Sequence, residues 1–356
     1  MRFENKVAVV TGAASGMGRA LAVQLASHGA RGVAICDVVV PALEETAAQC
    51  RKAATHKSFK VTTARVDVSS REQMEQWRDA VVLDFGVVDL LFNNAGINAV
   101  GRMVHAPGTS KEEMVKFEHM WDRCFAIDFF GVLNGCRAFV PVMVAGSKEG
   151  CVVNTASVNA FWTWPEHSAY TAAKHAVKGL TESLHIEMQL KAPHIKVACL
   201  FPGGVRTGIA AGTLSHNTSG VATIAGLFEQ VADLSSEQAA EWILDGVARG
   251  RHRILVGYDA WFLDKMVRVG PETVYTFYES LGRSGFVSDP TDVTANRHKL
   301  GLVAAAKFLY NGGWFMLPFL APIPLFKLRH STAGQLALGG LAAATAVGVG
   351  KLGAKL

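Results

Sequence analysis

The chain has 356 residues, half of them hydrophobic and 18% charged, with a formal net charge of +5. Low charge with a mean hydropathy of +0.22 excludes an intrinsically disordered chain, and the composition fits neither a collagen nor a disulfide scaffold. The excess charge sits at one end: Arg297, Lys299, Lys307, Lys327, Arg329, Lys351 and Lys355 follow Thr294 with no acidic residue among them. These cations are spaced among apolar runs rather than clustered, so no nucleic-acid partner is expected.

In chain order, apolar and β-branched runs at Val7–Val10, Gly32–Cys36, Thr62–Val66, Leu90–Asn93, Cys151–Thr155, Lys196–Phe201 and Arg253–Val256 read as strands. Helical patterns lie between them, for example at Gly18–His28, Ala42–Lys52, Ser70–Phe85 and Ala169–Leu190. Such alternation predicts an α/β fold with a doubly wound parallel sheet of about seven strands, covered on both faces. Gly208–Gly220 reads as a polar loop, Asp259–Leu281 as an aromatic-rich helix, Gly282–Asp292 as a linker, and the remainder as an apolar basic tail. Cys36, Cys50, Cys124, Cys136, Cys151 and Cys199 have neither CxxC spacing nor His partners at zinc-site spacing. Reduced core thiols are therefore expected, with no metal site. Met1–Lys6 is short and charged, so no signal peptide is read and a cytoplasmic-side location is expected.

The first strand runs into Thr11-Gly12-Ala13-Ala14-Ser15-Gly16-Met17-Gly18, where a helix opens. Glycines there permit a tight turn and let a pyrophosphate reach backbone N–H groups at the helix N-terminus. Alone, the GxxxGxG spacing fits a structural turn equally well. Asp37 ends the second strand, where a carboxylate can accept ribose hydroxyls and repel a 2′-phosphate. Within the turn stands Ser15 and no basic residue, so NAD is expected over NADP. Tyr170 and Lys174 are four apart on a helical pattern and share a face. An ammonium so placed stabilises a phenolate, and Ser157, just beyond a strand, can fix a substrate oxygen.

Taken together, Thr11–Gly18, Asn93-Asn94-Ala95-Gly96, Ser157, Tyr170-Thr171-Ala172-Ala173-Lys174 and Pro202-Gly203 with Thr207 resemble the short-chain dehydrogenase/reductase family, over about residues 4–257. The resemblance implies a Rossmann-type fold, a nicotinamide cofactor, and hydride transfer at a secondary alcohol or carbonyl. It implies that Gly12, Ser15, Gly16, Met17 and Gly18 form the pyrophosphate turn, and that Asp67 and Val68 flank the adenine. Asn94, Ala95 and Gly96 would line the cofactor near its ribose. Lys174 would bind the nicotinamide ribose and tune Tyr170. Thr207 would meet the carboxamide, beside Pro202, Gly203 and Val205. One position departs from the family: Asp128 stands where an Asn usually holds a water linking the lysine to solvent. An aspartate can accept from that water and favours the lysine's charged form, as an altered proton relay or a cause of impaired activity.

Phe161, Trp162 and Trp164 lie between Ser157 and Tyr170 and imply an apolar wall at the substrate mouth, or else ordinary core. The segment 208–240 is expected as a lid, with Trp261, Phe262, Tyr275, Phe277 and Tyr278 closing from the other side. Lipid-like, steroid-like or retinoid-like alcohols and ketones suit such a pocket. The tail carries two uncharged runs, Phe308–Phe326 and Ser331–Gly350, that fit a membrane-surface anchor or an arm over a subunit. The expected division is a catalytic domain over 1–257, a helical extension and linker over 258–300, and the tail over 301–356. A homodimer or homotetramer is expected. A membrane-associated dinucleotide-binding scaffold with weakened catalysis, and an epimerase or dehydratase on the same site, are the alternatives.

Overall fold

The first strand, β1 (Val7–Thr11), is buried at every position and lies inside a seven-stranded parallel sheet. On one side of it run β2 (Gly32–Asp37) and β3 (Lys60–Arg65). On the other run β4 (Leu90–Asn93), β6 (Gly150–Thr155), β7 (Ile195–Pro202) and β11 (Arg253–Val256). The resulting order is β11-β7-β6-β4-β1-β2-β3. Continuous apolar strands are what a sheet covered on both faces requires, because neither side of the pleat meets water. The structure is a computed structural model and describes residues 1–101, 103–104, 107–163, 166–207, 209, 214–215, 234–272 and 275.

Helices cover both faces. On one lie α1 (Gly16–Ser27), α2 (Val40–Ala53) and α7 (Ser236–Ala248), which bury Leu21, Leu25, Leu43 and Ile243 against Val10 and Leu90. On the other lie α3 (Arg71–Phe85), α5 (Gly131–Gly146) and α6 (Ser168–Lys191), which bury Met74, Trp77, Phe139 and Val177 against Val9 and Val152. Each such side chain contributes about 1.5–3 kcal/mol on leaving water, against about 1 kcal/mol for a helix cap, so packing holds these helices in place. α4 (Lys111–Phe125) joins α5 through a π-helical turn at Ala126–Phe130. This continuous stretch, Lys111–Gly146, is long and apolar enough to cross a membrane, but half of its most apolar window is buried inside the fold. All six cysteines are free and buried.

Above the sheet, β8 (Val205–Arg206) pairs with β10 (Leu234–Ser235), and β5 (Ala99–Val100) with β9 (Leu214–Ser215). The helix expected over Asp259–Leu281 is shorter: α8 (Tyr258–Val269) ends before Gly270-Pro271, a pair that cannot continue a helix. By compactness the chain divides into a unit Met1–Trp261 and a unit Phe262–Leu356. Most of the expected lid, Phe277, Tyr278, the linker and the tail lie outside the described residues.

Candidate active site

The glycine turn is packed too tightly for side chains. Gly12 has φ +66°, and a Cβ on it would lie 2.7 Å from Ala95 Cα. A Cβ on Gly18 would overlap the Gly12 carbonyl oxygen, and one on Gly16 would come within 3.2 Å of Thr207 Cβ. The turn therefore sits directly against Ala95 and Thr207. Thr11, given no role of its own in the motif by the sequence, ties it further: its hydroxyl accepts the N–H groups of Asn94 at 2.9 Å and Ala95 at 3.0 Å. Asn94 Nδ2 in turn donates to Thr11 O at 3.0 Å and Gly12 O at 3.3 Å. The hydroxyls of Ser70, Ser110 and Ser235 cap α3, α4 and α7, whereas exposed Ser15 makes no side-chain cap bond to α1. Met17 packs back against the core. The start of α1 thus has no side-chain cap from Ser15 on its N–H groups.

Asp37 is fixed by the backbone around it. Its Oδ1 accepts from Val38 N at 2.7 Å and Val39 N at 3.1 Å, and its Oδ2 from Ala14 N at 3.0 Å. Arg19 folds onto α2, donating to Thr46 Oγ1 at 3.0 Å and Ala42 O at 3.2 Å and also to Ala14 O. Its guanidinium is committed to holding the turn. Asp67 accepts from Ser69 N at 3.0 Å and Ser69 Oγ at 2.6 Å and lies 3.7 Å from Arg123. Burial raises its carboxyl, but these donors outweigh that and hold it below the usual carboxylate range. Val68 is buried against Gly131, and its carbonyl accepts from Asn134 Nδ2 at 3.0 Å.

Ser157, Tyr170, Lys174 and Asp128 meet beyond the end of β6. Ser157, 7% exposed, accepts the Asn159 N–H at 3.2 Å, and its side chain favours the ionised form of Tyr170. Lys174, one helical turn from Tyr170, is 2% exposed; its Nζ donates to Thr155 O at 3.1 Å and lies 5.4 Å from the Tyr170 ring centroid. Asp128, fully buried on the π turn, places Oδ1 3.5 Å from Lys174 Nζ. That oxygen also accepts the Ile97 N–H at 3.0 Å, and Oδ2 accepts the Cys124 thiol at 3.4 Å. Gly96 makes the pairing sterically feasible, since a Cβ there would lie 2.6 Å from Asp128 Oδ1.

The protonation of the group follows from burial set against charge. Burial raises Asp128 above the usual carboxylate range despite the opposing pull of Lys174. For Lys174, burial favours the neutral amine, yet Asp128 and Tyr170 push it above its ordinary value. Burial raises the Tyr170 phenol; Lys174 lowers it, Asp128 raises it, and the net direction is upward.

Two supports were not legible in the sequence. Asp259 Oδ2 accepts the Gly204 N–H at 2.6 Å, and its carboxylate fills the space a Cβ on Gly203 would need. It thereby fixes the run from Pro202 to Val205, both of which are buried. Beneath the site, Asn93 Nδ2 donates to Asn154 Oδ1 at 2.8 Å and Asn154 Nδ2 to Thr181 Oγ1 at 3.1 Å. The aromatic wall expected after Ser157 needs correction. Phe161 packs on Phe201 with centroids 5.5 Å apart, and Trp162 is 2% exposed, so both serve the core; Trp164 lies outside the described residues. Trp121 and Phe125 of α4, Phe129 of the π turn and Tyr170 instead pack against one small buried cluster that includes Phe117, Met120, Ala169 and Ala173.

A glycine turn that opens a helix at the end of a central parallel strand, together with a half-buried tyrosine and a buried lysine one helical turn apart, defines a dinucleotide-dependent oxidoreductase of the doubly wound class. Residues 6–218 match the family model described as short chain dehydrogenase, and the chain belongs to that family. A Mycobacterium tuberculosis protein named as oxidoreductase SadH is 39% identical over 268 residues, covering 75% of this chain and 91% of the relative. The short-chain dehydrogenase anuF of Penicillium roqueforti is 33% identical, over 60% of this chain and 78% of its own. Among solved structures, a short-chain dehydrogenase/reductase from Burkholderia phymatum in complex with NAD has a TM-score of 0.64 at 30% identity, covering 80% of this chain and 96% of that one. Levodione reductase has a TM-score of 0.60 at 28% identity, covering 73% and 99%.

Proposed function

We propose that this oxidoreductase uses NAD(H) to interconvert a secondary alcohol and a ketone, or an aldehyde and its alcohol, on an apolar substrate. The observation that carries this reading is the buried Lys174 ammonium, 5.4 Å from the Tyr170 ring centroid and bonded to Thr155 O at the end of the strand that leads to Ser157. A scaffold has no need of a buried ammonium at that cost in desolvation.

Support for the dinucleotide comes from this chain's own turn. Gly12, Gly16 and Gly18 leave backbone where side chains would collide, and α1 is left uncapped by Ser15. Gly12 through Gly18 would take the pyrophosphate, Asp37 the adenosine ribose, Asp67 and Val68 the adenine. Asn94, Ala95, Gly96 and Lys174 would bound the nicotinamide ribose, and Pro202, Gly203, Val205 and Thr207 the carboxamide end. When bound, the cofactor supplies the acceptor or donor of hydride. In reduction, Ser157 donates to the carbonyl oxygen and holds it beside Tyr170, whose hydroxyl gives that oxygen its proton. In oxidation the Tyr170 oxygen takes the proton back. Lys174 stabilises the transient phenolate, and Asp128 holds Lys174 charged.

Trp121, Phe125 and Phe129, which pack against the same small cluster as Tyr170, support a hydrophobic substrate, such as a steroid- or retinoid-like one. Exposed Val115 and Phe130 near α4, with Ile186 and Leu190 on α6, support self-association as a dimer or tetramer. We assign residues 1–257 to catalysis, 258–300 to the extension and linker, and 301–356 to contact with a membrane surface. The test of the chemistry is Tyr170→Phe, which keeps the ring and removes the proton. Turnover in a screen of secondary alcohols of graded hydrophobicity should fall by roughly 10²-fold or more while NADH still binds. Near-normal turnover in that variant defeats the assignment.

A further inference from the structure

We propose that Asp259 is a positioning residue for the nicotinamide half of the cofactor: its carboxylate fixes the backbone of the run that follows β7, and so fixes where Thr207 stands against the glycine turn. This rests on the reading of Pro202, Gly203, Val205 and Thr207 as the carboxamide end.

The run begins where ladder pairing stops. Pro202 closes the register of β7 with β11, opposite Val256, and the Gly203 N–H reaches the Val256 carbonyl at 2.9 Å. Gly203 and Gly204 have no side chains to pack, and glycine loses more backbone freedom on ordering than any other residue. Asp259, in the first turn of α8, supplies the missing anchor. Its Oδ2 accepts the Gly204 N–H at 2.6 Å, and a Cβ on Gly203 would overlap both carboxylate oxygens. Gly257, with φ +104°, leaves room on another side, since a Cβ there would overlap Oδ1. The carboxylate therefore lies in a slot that only glycines could leave open.

From Gly204 the chain is led to the glycine turn. Val205, 3% exposed, and Arg206 pair with Leu234 and Ser235, and the Arg206 carbonyl accepts the Ser236 hydroxyl at 2.9 Å. Thr207 follows, within 3.2 Å of where a Cβ on Gly16 would stand. The run is thus held by β11 at its start, by β10 and α7 at its end, and by one charged side chain between them. A hydrogen bond to a carboxylate is shorter and stronger than one to a neutral group, so this middle anchor is not equivalent to a bound water. Without it the two glycines regain freedom, and binding the nicotinamide end must order them. The adenosine half, read at Asp37 and Asp67, has no such dependence. Asp259 as a whole is exposed, so replacing it leaves the buried core intact.

Two ligands separate the halves of the site. NADH engages all of it, whereas ADP-ribose lacks the nicotinamide ring. In full-length Asp259→Ala, the Kd for NADH divided by that for ADP-ribose, from calorimetric titration, should rise by about fivefold or more, the equivalent of one lost hydrogen bond. Asp259→Asn, whose amide oxygen can still accept the Gly204 N–H, should stay within about twofold of wild type. Asp259→Glu forces a longer side chain into a filled slot and should behave like Asp259→Ala; it decides the matter if the alanine variant does not fold. An unchanged ratio, a rise in Asp259→Asn equal to that in Asp259→Ala, or equal losses for both ligands overturns the proposal, the last because it marks a general structural role. Thr207→Ala in the same assay tests the underlying reading. If neither it nor the Asp259 variants move the ratio, the run does not serve the nicotinamide. If Thr207→Ala raises the ratio and the Asp259 variants do not, only the role of Asp259 fails.

Discussion

At the scale of single residues, cofactor choice is carried by Asp37 and Ser15. Asp37 Oδ1 holds two backbone donors, while Oδ2 holds one and keeps acceptor capacity. Arg19, at the start of α1, is spent on Thr46, Ala42 and Ala14. Replacing Asp37 with Ala and Ser15 with Arg removes the repulsive charge and supplies a phosphate partner. A charged hydrogen bond contributes about 1.5–3 kcal/mol, so the ratio of kcat/KM for NADP over NAD should rise by roughly tenfold or more. Steady-state kinetics with both dinucleotides would show it, and a wild-type preference for NADP would refute the reading of Asp37. The identity of Asp37 and its place at a strand end were legible in the sequence. The tether of Arg19 was not, because it depends on how α1 packs on α2. Asp128 was legible, through the family resemblance, as an acid near Lys174; its bonds to the Ile97 N–H and the Cys124 thiol were not, because they depend on how the π turn packs.

At the scale of elements, the strands were legible because each is a short apolar run bounded by glycine, proline or charge. Their ends were less so. β3 begins at Lys60 rather than Thr62, since ladder pairing with Gly32 draws in a lysine that its own polarity argues against. Aromatic side chains misled for a related reason: period and composition cannot tell a Phe facing Phe201 from one facing a substrate. Polar contacts between elements were equally hidden, and the Asn93–Asn154–Thr181 chain is the clearest example. Asn154 is fully buried, and Thr181 joins α6 to β6 through it. Thr181→Val keeps the volume but strands the Asn154 amide, which should lower stability by about 1–3 kcal/mol. Urea denaturation would register this as a lower midpoint at unchanged slope; an unchanged midpoint would mean that the amide finds another partner.

For the whole molecule, the unresolved balance is between a slightly acidic catalytic part and a basic end. Residues 294–356 carry seven Lys or Arg and no Asp or Glu around two uncharged runs. Apolar surface on that scale must be covered by lipid or protein. Full-length protein should therefore sediment with liposomes of anionic lipid, and a chain ending near Asp292 should stay in solution and still bind NAD, because every proposed cofactor residue precedes Gly208. Full-length protein left in the supernatant would refute the membrane role; the truncated chain's oligomeric state would then report whether the tail is a subunit arm.

The strand order has a consequence for how the chain is made. β1 precedes the other strands of the sheet in the chain and lies within it, flanked by β2 and β4. β2 and β3 extend it on one side; β4, β6, β7 and β11 then extend the other, in the order of their synthesis. Each newcomer adds to an existing border and none must be threaded between two already joined. The nascent sheet can therefore grow during translation without undoing any pairing, and its vulnerable moment is the wait for Leu90–Asn93, when one border of a strand buried at every position in the fold stands open to a neighbouring chain.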